Sequence, residues 1–144
     1  MLSYKHGYHA GNQADVLKHI CLIQAYKSLK KHHKSISYID THAGSGDYNF
    51  KSDYMSKNKE YENGISKLEN YKYENQSIKF YLKVLRNINN SKKMTFYPGS
   101  PSIMSHLSDS SDKLLFYELH NNEVQLLRRH LAKQINSKVY NMDG

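Results

Sequence analysis

The first long pattern of polar and apolar positions is that of an amphipathic helix beginning after Asn12. Asn12 is a favourable N-cap residue, and Asp15, three positions later, suits the positive end of a helix. Apolar residues then recur at spacings of three and four, which predicts a buried stripe packed on a sheet. The predicted stripe comprises Leu17, Cys21, Leu22, Ala25, Tyr26 and Leu29.

Three short apolar runs predict buried strands, over residues 35–40, 113–120 and 138–144. A helix is predicted over residues 121–133, and another is predicted to begin with Ser100 as N-cap and Pro101 at the first helical position. Because strands alternate with helices, the predicted fold class is α/β with a parallel sheet.

The segment 47–93 is polar, rich in lysine and tyrosine, and mostly helical in its pattern. Its apolar positions predict one helix with Ile65 and Leu68, and a second with Ile78, Leu82, Leu85 and Ile88. The segment separates the first predicted strand from the others. We therefore interpret it as an inserted helical subdomain.

Composition adds a partner class to this picture. The 144 residues carry a formal net charge of +8, and the excess is concentrated in residues 1–34 and 49–93. A basic chain favours a polyanionic partner, and nucleic acid before a membrane, because phosphate contacts release counterions. A basic surface without a specific partner is the alternative at this point.

The chain has one cysteine and no apolar run long enough to span a membrane. A disulfide framework is therefore excluded, and a reducing compartment is expected. The N-terminus lacks the apolar core of a signal peptide. These features predict a cytoplasmic protein without a membrane partner.

A glycine-containing loop, Asp-Thr-His-Ala-Gly-Ser-Gly over residues 40–46, follows the first predicted strand. Asp47 stands where a phosphate-binding P-loop needs lysine, and Asn49 stands where a dinucleotide fingerprint needs its third glycine. A nucleoside triphosphatase is thus disfavoured, and a nicotinamide enzyme is only weakly supported. The loop must serve another ligand.

Carboxylates at the ends of successive parallel strands converge above the sheet. Glu118 is placed to accept hydrogen bonds from ribose hydroxyls, and Asp143 from an adenine edge. Asp40 is compatible with a cationic group, so the three acids together suit S-adenosylmethionine, an adenosine cofactor without phosphates. Each acid alone is better explained as an ordinary residue at a strand end, and only the set of three points to this cofactor.

The Lys-Lys-His-His-Lys run at residues 30–34 raises the question of a metal site. Adjacent histidines at a helix end point in different directions, and neither Cys nor a carboxylate accompanies them. A solvated basic helix end is the preferred interpretation, and no metal ligand is predicted. A metal-dependent hydrolase built on the nine histidines lacks any paired ligand spacing.

Several stretches then become recognisable together: the N-terminal "MLSYKHGYHAGNQADVLKH", followed by "DTHAGSG", "YPGSP", "ELH" and a final "DG". In this order they resemble the bacterial 23S rRNA adenine-N6 methyltransferases of the J type. The resemblance implies S-adenosylmethionine as cofactor, 23S rRNA as substrate, and a Rossmann-like fold with an inserted helical subdomain. It divides the chain into a partial cofactor-binding domain, 1–46 and 94–144, and the insertion, 47–93.

The resemblance also implies roles for single residues. It places cofactor contacts at His19, His42, Ser100, Glu118, Asp143 and Gly144. Lys18, on the helical face of Asp15, and Asp40 and Gly44, in the glycine loop, complete the predicted cofactor site. Tyr4 is implied to lie beside the RNA, where an aromatic ring stacks on a base.

One family motif is absent from the 144 residues. The family places an Asp-Pro-Pro-Tyr motif, which accepts a hydrogen bond from the target amine, after its fourth core strand. This chain has two prolines, Pro98 and Pro101, and they are not adjacent. The sequence thus looks like the N-terminal half of such an enzyme, with no catalytic residue of its own. We expect no methyltransferase activity from it alone.

Two further expectations follow from this interpretation. The first strand is expected to have an unpaired edge, so that the chain associates through it or is poorly soluble. The alternative function is a non-catalytic RNA-binding remnant or module. Such a module would bind RNA through the two basic regions with the same dependence on salt as the enzyme.

Overall fold

The computed structural model describes residues 6–70 and 72–144 of the chain. Tyr4 lies outside the described residues, so its predicted contact with RNA stays a prediction. The helices are α1 (Gln13–Lys30), α2 (Asp53–Asn58), α3 (Ile65–Glu69), α4 (Gln76–Asn89), α5 (Ser100–Leu107) and α6 (Asn121–His130), and the strands are β1 (Ser37–Asp40), β2 (Asp47–Asn49), β3 (Phe96–Pro98), β4 (Lys113–Tyr117) and β5 (Ser137–Tyr140). Short 3-10 turns occupy His6–Tyr8 and Glu60–Asn63.

The main sheet consists of three parallel strands in the order β1–β4–β5. Ser37 pairs with Lys113 and Leu114 pairs with Ser137, so all three strands end at the same edge of the sheet. This confirms the predicted α/β class with a parallel sheet. Each strand is shorter than predicted, so Glu118 and Asp143 follow their strands. Among the described residues, β1 has a strand on one side only.

The segment 47–93 contains the predicted helices, with Ile65 on α3 and Leu82 and Leu85 buried on α4. It also begins with a strand that the sequence pattern did not predict. In this second sheet β2 pairs antiparallel with β3, and Tyr48 lies opposite Tyr97. A strand of three residues is too short for apolar alternation to reveal it. The pairing ties the start of the segment to the residues before α5.

The N-cap of α1 is confirmed, because the Asn12 side chain accepts a hydrogen bond from the Asp15 amide. The predicted buried stripe is wrong at four of its six residues, whereas Tyr26 is buried as predicted and Leu22 is half-buried. The buried residues of α1 are Asp15, His19, Ile23 and Tyr26. Leu17 is 64% exposed and Leu29 is 47% exposed, and Cys21 and Ala25 are exposed as well. Apolar periodicity missed the buried side because two of its residues are polar and bonded in a cavity.

Two apolar clusters form the core. One lies between α1, α4 and β3 and is centred on Ile23, Tyr81, Leu85 and Tyr97. The other lies on the main sheet and is built from Tyr26, Met104, Leu114, Phe116, Leu127 and their neighbours. Because α1 contributes to both clusters, it joins the helical segment to the sheet. In the described ranges, no helix has the length and hydropathy needed to cross a bilayer.

Candidate functional site

A cavity of about 620 Å³ opens beyond the ends of β1 and β4. This volume is in the range of cavities that hold small-molecule ligands. Eight of the nine residues predicted for the cofactor line it: Lys18, His19, Asp40, His42, Gly44, Ser100, Glu118 and Asp143. The ninth, Gly144, packs against the backbone of Thr41, which itself lines the cavity. The structure therefore brings the predicted residues to one place.

Glu118 holds the glycine loop in place. Its Oε2 accepts a hydrogen bond from the Gly44 amide at 2.8 Å, and its Oε1 accepts one from the His120 amide at 2.8 Å. The side chain is only 8% exposed. Because a carboxylate accepts about four hydrogen bonds, this one can still accept from a ligand. Glu118 is thus a fixed acceptor at the cavity wall.

Gly44 meets the conformational demand of this loop. Its φ of +64° lies in the left-handed region, and a Cβ atom there would collide with the Tyr48 hydroxyl. Only glycine adopts this conformation without strain. The preceding residue, Ala43, donates its amide to the Tyr117 carbonyl at 3.0 Å, which continues the ladder between β1 and β4. The loop is therefore held on the sheet side as well as by Glu118.

Asp40 organises the other wall of the cavity. Its Oδ2 accepts hydrogen bonds from the Ser100 hydroxyl at 2.6 Å and from the Tyr38 hydroxyl at 2.9 Å. Its Oδ1 accepts from the His42 amide at 3.1 Å. Burial and the neighbouring Asp40 charge raise the pKa of Tyr38, so this phenol stays protonated as a donor. Since three donors already bond Asp40, its contribution to a ligand is chiefly its negative charge.

The predicted N-cap of α5 is wrong by one residue. Gly99 occupies the N-cap position in an extended conformation, and Ser100 is the first helical residue. The Ser100 hydroxyl donates to Asp40 and does not cap the helix. A Cβ atom on Gly99 would approach the Gly46 carbonyl oxygen to 2.8 Å. The close contact between the glycine loop and α5 therefore requires glycine at the cap, which displaces serine into the helix.

Sequence reasoning missed the role of Asp15 and His6 at this site. Asp15 is 2% exposed and accepts hydrogen bonds from His6 Nε2 at 2.8 Å and from the Gly11 amide at 3.0 Å. The Lys18 ammonium lies 3.3 Å from its other oxygen. Burial alone would raise the pKa of Asp15, but the bond from His6 and nearby positive charge lower it to about 2. The Asp15 carboxylate thus holds the His6 imidazole and the Lys18 ammonium at the cavity wall.

His19 lies deeper and is the end of a chain of hydroxyls. Its Nδ1 is 2.7 Å from the Tyr97 hydroxyl, which is 3.0 Å from the Tyr81 hydroxyl. Burial lowers the pKa of His19 to about 4, against the attraction of Asp15. Burial also raises the pKa of Tyr97 well above its usual value. At neutral pH the imidazole is therefore uncharged, and both phenols keep their protons.

The His19 environment predicts a pH-dependent stability. In the folded protein the pKa of His19 is about 4, and unfolding restores it to 6.5. Between these two pH values the His19 imidazole is protonated only in the unfolded chain. The free energy of unfolding therefore falls as the pH drops from 6.5 to 4. The loss from this residue is about 3 kcal/mol. Urea denaturation at pH 7, 5.5 and 4.5 measures it.

The matched variants are His19→Gln and His33→Gln. His33 is exposed at the end of α1. The His19 variant is expected to show a flatter pH profile than the wild type, whereas the His33 variant keeps the wild-type profile. Asp15, with its pKa lowered from 3.8 to about 2, loses its contribution only below this window. Equal slopes in the wild type and His19→Gln would contradict the assignment.

A second polar cluster joins β2, α5 and α6 away from the cavity. Ser102 Oγ lies 2.6 Å from Asp47 Oδ1 and 2.8 Å from His130 Nε2, and His130 Nδ1 lies 3.2 Å from Asp47 Oδ2. These residue types also form nucleophilic triads. Here Ser102 is 3% exposed and does not line the cavity, so the cluster is structural. It fixes the far side of the glycine loop, because Ser102 Oγ also lies 3.0 Å from the Gly46 carbonyl oxygen, so that its single proton is shared between Gly46 and Asp47.

The arrangement fits a small ligand with hydroxyl groups and both signs of charge. Glu118 and Asp143 offer acceptors, and Lys18 offers a cation. Among residues 6–70 and 72–144, no group of three or more His, Cys, Asp or Glu side chains is placed to hold a metal ion.

The sequence matches one family model and two curated proteins. Residues 33–144 match the family model described as Ribosomal RNA large subunit methyltransferase D, RlmJ. Ribosomal RNA large subunit methyltransferase J of Escherichia coli (strain K12) is 38% identical over 144 residues, all of this chain and 51% of its own length. Ribosomal RNA large subunit methyltransferase J of Haemophilus influenzae is 39% identical over 140 residues, which are 96% of this chain and 50% of that protein's length.

A solved structure shows the same fold. A crystal structure of a protein from Legionella pneumophila superposes with a TM-score of 0.78 at 35% sequence identity. The match covers 94% of this chain and 49% of that one. The chain thus spans about half the length of the curated relatives and of the solved structure that it matches.

Proposed function

Because the chain belongs to the family described as Ribosomal RNA large subunit methyltransferase D, RlmJ, we propose that it provides the S-adenosylmethionine-binding half of a 23S rRNA adenine-N6 methyltransferase. The observation that carries the proposal is the position of Glu118. This buried carboxylate holds the glycine loop by two backbone amides and still has lone pairs beside the cavity. Ribose hydroxyls are the donors that such an acceptor suits.

The other lining residues support the same ligand. Lys18, bonded to Asp15, is a cation suited to the carboxylate of a methionine moiety. The negative charge of Asp40 favours the ligand's sulfonium and ammonium groups. We assign the adenine edge to Asp143 and the adjoining Gly144, and further contacts to His19, His42, Ser100 and Gly44. When bound, the cofactor supplies an electrophilic methyl group.

Transfer to an adenine N6 needs an acceptor for the protons of the exocyclic amine, with the base turned out of its stack. The family motif for that task, Asp-Pro-Pro-Tyr, does not occur in the 144 residues. We therefore propose that these residues bind the cofactor but do not by themselves transfer its methyl group. We propose 23S rRNA as the substrate, with Tyr4 in contact with the RNA. We propose the cytoplasm as the location of the protein.

Isothermal titration of the 144-residue chain with S-adenosylmethionine and S-adenosylhomocysteine tests the proposal. One saturable site for each ligand is expected, with adenosine as a competitor. ATP should compete much more weakly, because its triphosphate would meet the negative charges of Asp40 and the other acids that line the cavity. Incubation with radiolabelled cofactor and a 23S rRNA transcript should leave the RNA unlabelled. A folded chain that binds RNA but neither cofactor form would overturn the proposal in favour of a non-catalytic RNA-binding module.

A further inference from the structure

The charges of this chain are segregated, and the fold brings the acid-free segments together. Residues 16–39 and 75–108 contain no aspartate or glutamate, although each has five lysines or arginines. The first segment includes most of α1, and the second includes all of α4. These two helices pack on each other through the apolar cluster around Ile23 and Tyr81. One face of the molecule is therefore built from α4 and the part of α1 after Asp15, and neither contains a carboxylate.

Four exposed lysines define this face, which we call the α1–α4 surface: Lys27 and Lys31 on α1 with its C-cap, and Lys79 and Lys83 on α4. Each pair is spaced by four residues, so its members lie on the same side of their helix about 6 Å apart along the axis. The Lys27 ammonium lies 3.9 Å from the centre of the Phe80 ring on α4. That contact joins the two pairs into one surface.

Within the described residues, no carboxylate neutralises the ammonium groups of the α1–α4 surface. In the described ranges, none of the four takes part in an ion pair, whereas Lys30 is bound to Asp109 and Asp112 and Lys18 to Asp15. Like charges four residues apart on a helix slightly destabilise it. Apart from the Lys27–Phe80 contact, the four charges therefore contribute little to the stability of the fold, and they are available to a polyanion.

We infer that the α1–α4 surface binds the phosphate backbone of the RNA, outside the cavity that holds the cofactor. This inference rests on the proposed function, since it concerns the substrate of the same enzyme. The partner is RNA, because the exposed face of α4 presents Gln76, Lys79, Lys83 and Asn87, with no apolar residue to enter a bilayer. Phosphate contacts position an RNA without reading its sequence.

The test compares charge-neutralising variants of the intact chain. Lys27→Gln/Lys31→Gln and Lys79→Gln/Lys83→Gln each remove two cations from the α1–α4 surface. Lys113→Gln/Lys138→Gln is the matched control, because these exposed lysines lie on β4 and β5 and the change in net charge is the same. The probes are a 23S rRNA fragment and an unrelated RNA of equal length, with binding measured by fluorescence anisotropy over a series of salt concentrations.

Each α1–α4 double variant is expected to lose about tenfold in affinity for both RNAs at low salt. The slope of log affinity against log salt should fall in magnitude by about 1.4, that is about 0.7 for each phosphate that a lysine no longer neutralises. The control should change neither quantity appreciably. Binding of S-adenosylmethionine should be unchanged in all three, since none of these lysines lines the cavity.

Different failures separate the inference from the proposed function. The inference would be overturned by an equal loss of RNA affinity in the control variant, or by unchanged salt slopes in both α1–α4 variants. If the wild-type chain still binds S-adenosylmethionine, the proposed function stands in either case. If the wild-type chain binds no cofactor but the α1–α4 variants lose RNA affinity, the result would support the RNA-binding role of the α1–α4 surface and overturn the proposed function. Vesicles containing phosphatidylserine that bind as tightly as RNA, with the same dependence on these lysines, would overturn the choice of RNA.

Discussion

Glu118→Ala is expected to weaken S-adenosylmethionine binding by about a hundredfold or more, measured by isothermal titration. The substitution removes the acceptor proposed for the ribose and leaves the amides of Gly44 and His120 without their partner. Hydrogen bonds to charged groups contribute about 1.5–3 kcal/mol each. Losing a ligand bond and the order of the glycine loop together therefore costs about 3 kcal/mol, which is a factor of more than a hundred.

Glu118→Gln and Glu74→Ala complete this experiment. Glutamine keeps one oxygen acceptor, but its amide group meets a backbone donor, so an intermediate loss of affinity is expected. Glu74 is exposed and does not line the cavity, so its replacement should leave affinity unchanged. A Glu118→Ala variant that melts as a folded protein and binds the cofactor within threefold of the wild type would exclude the proposed role.

The 144-residue chain is expected to self-associate at micromolar concentrations through α1 and β1. Leu17 (64% exposed), Leu29 (47% exposed) and Ile39 (58% exposed) lie uncovered on these elements. Within the described part of the chain, β1 is also bonded to a strand on one side only, so its free edge can pair with another chain. A second copy is the partner we expect, because a purified sample offers no other.

Light scattering after size exclusion, at several loading concentrations, measures this association. Leu17→Ser/Leu29→Ser is expected to weaken it by at least tenfold, because burial of one leucine stabilises a contact by about 1.5–3 kcal/mol. Ile135→Ser is the control, since Ile135 is 92% exposed beyond α6 and belongs to neither α1 nor β1. A monomeric wild type at every concentration would contradict the prediction, as would equal effects of both substitutions.

Much of the architecture followed from short-range patterns. The parallel sheet was predicted from the three apolar runs, and α4 from the spacing of Leu82 and Leu85, because a buried element must repeat with its own period. Leu17 and Leu29 belong to a genuine apolar pattern, yet both side chains are exposed, and only the Tyr26 side of that pattern packs on the sheet. Periodicity identifies an apolar face, but not which neighbour covers it, since that depends on contacts distant in sequence.

For the candidate site, as for the fold, the sequence predicts the parts that depend on local patterns. The glycine loop and the acids after the strands were recognisable because parallel strands end at one edge. For Asp15, the sequence predicts a favourable residue at a helix start and a helical face shared with Lys18, but no contact with His6. Its bond from His6 depends on the turn at His6–Tyr8 folding back over α1, which no local pattern encodes. Ser100 was assigned to the wrong helical position because Gly99 is required by the tight approach of Gly46.

The pairing of Ser37 with Lys113 closes a loop of more than half the chain. During synthesis, β1 leaves the ribosome long before β4, and it waits with both edges open while α2, α3 and α4 emerge between them. Contacts so distant in sequence form slowly, on the scale of milliseconds to seconds, whereas the intervening helices form within microseconds. The nascent chain thus presents an open strand edge over the synthesis of about seventy residues, several seconds at the usual rate. An open strand edge favours pairing with other chains, so this interval is when the nascent protein is most prone to aggregation.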